Sequence, residues 1–145
     1  MSFVSFIKEN AEKAGWPSVK VLSDSCVTLP FDTDEGDINI FIRPCGKLFD
    51  KTVLEFSGPD IPVPSDVDLK LSMLEAFMKR NGDLLQGHWA IEGGEDDPKF
   101  SVMVTQIAET MDPLEFKSAV NTVLKEHERF LAILRKATKG SNVDF

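Results

Sequence analysis

The sequence predicts an α+β domain in the order α-β-β-β-α-β-β-α, an antiparallel sheet with helices packed on it. Two observations carry this prediction. Stretches of alternating apolar and polar residues occur in pairs joined by short polar turns, the signature of antiparallel hairpins. The three segments with a 3.6-residue apolar period are too few, and wrongly placed, for a doubly wound parallel sheet.

The first helix is read from Phe3, Ile7, Ala11 and Ala14, with Ser2 as N-cap and Gly15, Trp16 and Pro17 as the stop. Val27, Leu29 and Phe31 then alternate with Cys26, Thr28 and Pro30, and Ile38, Ile40 and Ile42 alternate with Asn39, Phe41 and Arg43. The polar run 32–37 between them makes this pair a hairpin. If it turns near Asp34 and Glu35, Cys26 lies opposite about Arg43, and Cys45 falls in a loop with Pro44 and Gly46. Thr52, Leu54 and Phe56 mark a third strand, broken by Gly58, Pro59 and Asp60.

A second helix opens at Ser65, with Asp68 three residues on, and ends at Asn81 and Gly82. Val67, Leu71, Leu74 and Met78 form one apolar stripe, and Leu69, Met73 and Phe77 an adjacent one. That arc is wider than a single packing face requires. Residues 88–92 and 100–105 are two further strands around an acidic turn. The last helix has Asp112 as its cap, Pro113 at its first position and Glu115 completing the capping pattern. Phe116, Val120, Val123, His127, Phe130 and Leu134 step along one face. Residues 1–139 are read as one domain and 140–145 as a frayed tail.

At 145 residues, 42% apolar and 28% charged, the chain has the size and composition of one soluble domain. Acidic residues outnumber Lys and Arg by 24 to 16, a net charge of −8, which disfavours nucleic acid and anionic membranes as partners. Two cysteines make no disulfide framework. The first eight residues carry no basic leader before an apolar run, and there is no run of 18 apolar residues, so a cytoplasmic location is expected.

Catalytic signatures are lacking. Residues 32–37 look superficially like a calcium loop, but Gly36 falls at position 5 and Arg43 at position 12, where Gly at 6 and Glu at 12 are needed. Glu92, Glu95, Asp96 and Asp97 read as a charged turn. His88 and Trp89 point to opposite faces of a strand, and His127 sits on the apolar face of the last helix. No GxSxG, HExxH or P-loop pattern occurs. A non-enzymatic protein with no cofactor and no metal is the expectation. Apolar residues out of phase with their strands (Phe41, Val53, Met103 and Ile107) mark a second sheet face, which is either a protein-binding patch or is covered by the first helix or the chain ends.

Three stretches carry a family resemblance: residues 74–81 (LEAFMKRN), 87–91 (GHWAI) and 99–104 (KFSVMV), followed by a closing helix with Phe116 and Phe130. With the element order, the length and the acidity, they resemble the type III secretion chaperone-like fold. This fold covers the bacterial class I secretion chaperones of the Tir-chaperone type and the YbjN-like family of proposed sensory-transduction regulators. The resemblance runs from the first helix to about Leu134. It implies a homodimer that holds an extended segment of a client protein, partly by strand addition. Phe3, Phe6, Phe41 and Val53 match the client surface, and Phe77 and Trp89 match the dimer contact. The alternatives are a regulator acting by contact in signalling or stress, and a small-ligand binder or enzyme using His88.

Overall fold

The computed structural model describes residues 1–138; the expected tail, 140–145, lies outside them. Among the described residues the order is α1 (Phe3–Lys13), β1 (Lys20–Ser23), β2 (Cys26–Thr33), β3 (Gly36–Leu48), β4 (Lys51–Ser57), β5 (Ile61–Pro62), α2 (Val67–Asp83), β6 (His88–Glu92), β7 (Lys99–Ile107), a 3-10 turn (Ala108–Thr110) and α3 (Pro113–Thr138). All strand pairs are antiparallel, in the sequence β1-β2-β3-β4-β7 with β6 beyond β7. Phe100 pairs with both Ile61 and Ile91, so β5 prolongs the track of β4 along the other flank of β7.

The α+β class is as the sequence predicts, with two short strands added and one lengthened. β1 is an edge strand with all four residues exposed, so no buried alternation announces it. β5 is two residues long. Residues 44–46, expected to be a loop, lie inside β3. There Pro44 pairs with Leu54 and Gly46 with Val53, leaving Cys45 as the extra residue of a bulge. The proline is tolerated because β2 begins at Cys26, so from Pro44 onward β3 has no neighbour on that side. The first hairpin has the expected register, with Thr33 opposite Gly36 and Val27 opposite Ile42.

Side chains cap the helices. The Ser2 hydroxyl accepts from Ser5 N–H at 3.2 Å. Asp66, one residue after the expected Ser65, caps α2 by accepting from Leu69 N–H at 2.8 Å. Asp112 and Glu115 form a reciprocal capping box at 2.7 and 2.9 Å.

The three helices pack on one sheet face. Ile7 of α1, Leu29, Ile40, Phe56 and Val102 of the sheet, and Phe116, Val123 and Phe130 of α3 form one contiguous core. α2 lies over the β6 edge and buries only Met73 and Phe77. It is fastened by a charged hub. Arg80 Nε and Nη2 donate to the carboxylate of Glu126 on α3, which also accepts from Trp89 Nε1 of β6 at 3.1 Å. Burial works against ionisation of Glu126, but the bonds from Arg80 and Trp89 outweigh it and hold the carboxyl below the usual range. Removing the carboxylate strands a guanidinium and an indole N–H. Glu126→Ala is expected to cost about 3 kcal/mol in urea denaturation, whereas Glu75→Ala, which breaks an exposed Lys79 pair, leaves the denaturation midpoint essentially unchanged.

Candidate functional site

Among the described residues the second sheet face carries no helix, yet much of it is buried. Thr28, Val53, Glu55, Ser57, Ser101 and Met103 are all under 9% exposed, and the strand pairings place them on the face opposite the core. The sheet curls until this face is concave. One cavity of about 270 Å³ is lined from Cys26 on β2 across to Glu92 on β6, through Phe41, Arg43, Ser57, Gly58, Pro59 and Asp60.

Register builds the cavity. Phe41 opposes Ser57, and Arg43 opposes Glu55. Arg43 Nε and Nη2 donate to Glu55 Oε1 at 3.2 and 2.9 Å, which holds the guanidinium charged. Gly58, Pro59 and Asp60 interrupt the track between β4 and β5 and wall the cavity. Burial, then the Glu55 carboxylate, push the Glu92 carboxyl upward. Behind this wall stands His127: a Cβ on Gly58 would lie 3.2 Å from its Nδ1, a tight contact to which the side chain would have to yield by a few tenths of an ångström. His127 is 4% exposed, and its Nδ1 has no partner. His88, by contrast, is exposed at the start of β6. No three His, Cys, Asp or Glu side chains among the described residues are placed to hold a metal.

A second concavity, about 250 Å³, opens at the end of the sheet on the core side. Phe3 and Phe6, one turn apart on α1, face Pro44, Leu54 and Ala108, with Met1, Ser2, Thr52 and Glu109 at the rim. The Glu109 carboxylate accepts from Thr52 N–H at 2.9 and 3.0 Å, bracing the base of the β3–β4 hairpin. At the hairpin tip, Phe49 and Asp50 both have positive φ, 50° and 60°. Two left-handed residues suit the twist of a tight hairpin, but Asn-Gly is the pair that adopts them without strain. Phe49 is 92% exposed and Leu48 55%.

The residues matched to a client surface therefore separate. Phe3 and Phe6 line the end groove, Phe41 lines the concave cavity, and Val53 is buried in the concave face. Of the other out-of-phase residues, Met103 is also buried and Ile107 half-buried. Phe77 and Trp89, matched to a dimer contact, are placed within the core of one chain. Their rings stack at 4.2 Å and both meet Phe130. What α2 presents outward is Val67, Leu71 and Met78, with Leu74 half-buried. Sequence reasoning missed Arg43, Ser57, Asp60 and Glu92 as one constellation. The first hairpin's register was readable, but the pairings that bring Glu92 round to Arg43 span the whole sheet.

The fold is similar to that in the crystal structure of YbjN from E. coli, described as "a putative transcription regulator". The TM-score is 0.62 over 94% of this chain and 93% of that one, at 16% sequence identity. The likeness is one of fold, and it supports the YbjN-like half of the resemblance rather than a secretion-chaperone class. No protein-family model matches the sequence, and no curated protein matches it.

Burial lowers the His127 pKa to about 4 from an ordinary 6.5. The unfolded chain then takes up a proton before the native one does. The contribution is complete above pH 6.5 and is lost as pH falls toward 4, on the order of 3 kcal/mol in all. In urea denaturation between pH 7 and 4.5, the wild type is expected to lose stability toward acid relative to His127→Leu, which lacks this proton uptake.

Proposed function

We propose that the chain is a non-enzymatic protein-binding adaptor or regulator, acting in the cytoplasm as a homodimer and without a cofactor. The observation that carries this reading is the end groove of Phe3 and Phe6 beside a braced hairpin that displays Leu48 and Phe49. Apolar side chains held in a strained, exposed turn favour recognition of a partner's apolar residues. An extended client segment also has an edge to join. All four β1 residues are exposed, whereas β6 is blocked where Asn81 bonds both the N–H and C=O of Trp89, at 2.6 and 3.0 Å.

The fold of YbjN makes a regulatory role, exerted by contact with another protein, the companion reading. A net charge of −8 argues against direct contact with DNA phosphates. No described helix is long and apolar enough to cross a membrane.

Partner capture from native cytosol, with crosslinks read by mass spectrometry, tests the groove. Phe49→Asn is expected to raise stability by about 1 kcal/mol by relieving the turn while sharply weakening capture, and Phe6→Asp to abolish it. Capture unchanged in both variants would sink this placement.

For the second copy, Val67, Leu71, Leu74 and Met78 recur at spacings of four, three and four, a two-helix seam. Leu71→Glu with Met78→Glu is expected to convert a sedimenting dimer to a folded monomer. A wild-type protein that is monomeric at high micromolar concentration contradicts the seam.

A further inference from the structure

The concave cavity carries charge that the protein does not balance. Arg43 is bonded to Glu55 and also attracts Glu92. Neither Asp60 nor Glu92 forms a salt bridge among the described residues, so one guanidinium faces the carboxylates of Glu55, Asp60 and Glu92. Lys99, directly opposite Glu92 in the sheet, is engaged by Asp97 at 3.0 Å. Ser57, only 8% exposed, faces the same cavity, and no described residue hydrogen-bonds its hydroxyl. The cavity thus offers three acceptors (two carboxylates and a hydroxyl) beside the apolar faces of Phe41 and Pro59. An ammonium group has three N–H donors and no acceptor, and its alkyl stem requires an apolar wall. A volume of about 270 Å³ admits a small ligand or one long side chain.

The geometry points to a binding site for an alkylammonium group, with Asp60, Glu92 and Ser57 as its acceptors and Phe41 against its stem. This site lies on the opposite face from the end groove and does not depend on the adaptor reading. Two sources share the chemistry: a free small amine, and the lysine side chain of a partner protein. The desolvated Glu92 carboxylate gains a counter-charge when the site is filled, which favours occupation.

The test is titration of the full chain at low salt with cadaverine and, separately, with Nα-acetyl-lysine methylamide, followed by amide NMR shifts and calorimetry. Glutarate serves as the anionic control. Saturable binding is expected, with shifts centred on Phe41, Ser57–Asp60 and Glu92. Asp60→Asn with Glu92→Gln, folded by its thermal melt, is expected to weaken it tenfold or more; if that pair does not fold, Ser57→Ala and the wild-type shift map decide. Binding of cadaverine alone assigns a free amine, and binding of the lysine derivative assigns a partner's side chain. The inference is overturned by no saturable binding of either, by equal binding of glutarate, or by shifts centred elsewhere.

Discussion

Helices on one face of a sheet leave the other face to be dealt with by the sheet itself, and this constraint governs the rest of the molecule. The chain meets it by curling. The bulge at Cys45 and the break at Gly58 interrupt the regular ladder at two places on neighbouring strands, and irregularities of this kind increase local twist and bend. Curvature turns a would-be exposed surface into a concave one, where Val53 and Met103 are buried with no helix over them among the described residues. Because this face also buries Thr28, Glu55, Ser57 and Ser101, it is a mixed polar surface rather than a second apolar core. The free Ser101 hydroxyl shows that its hydrogen bonding is incomplete within the chain.

The edge of the sheet is settled by different physics. α2 has two buried residues in seventeen, too little apolar contact to fix a helix of that length by packing alone. Its position depends on the stacked Phe77–Trp89 pair and on Glu126, which joins α2, β6 and α3 through one carboxylate. Economy of contact on the inner side leaves an apolar stripe on the outer side. The hub and the exposed stripe are thus two consequences of one placement, a helix over an edge instead of over the middle of the sheet.

Local information made most of the elements legible. Ser2, Asp112, Pro113 and Glu115 announce their helix ends because capping chemistry is confined to a few neighbouring residues. The register of the β2–β3 hairpin is legible, since alternation and a short polar turn fix it, although β3 runs on past its expected end to Leu48. β1 was not, because an edge strand exposed on both faces leaves no alternation in the sequence. Phe77 and Trp89 illustrate the limit for sites. Each looks like surplus apolar residue beside its own element, and only the docking of α2 on β6 brings the two together. In the same way, Glu92 reads as one more acid of a charged turn until the curl brings it round to Arg43.

Strain separates the hairpin tip from the rest of the apolar surface. Val67 and Leu71 are exposed on a helix whose backbone is unstrained, as part of one apolar stripe. Phe49 differs. A turn required only to reverse the chain is served by Asn-Gly, which occupies the left-handed region freely. Phe49 instead brings a bulky side chain into that region with 92% of its surface exposed, so neither the strain nor the exposure is offset by burial within the chain. Glu109 meanwhile fixes the hairpin's base through Thr52, which holds the tip in place. Phe49 is thus held, strained and unburied at once, and the Phe3–Phe6 groove lies at the base of the same hairpin.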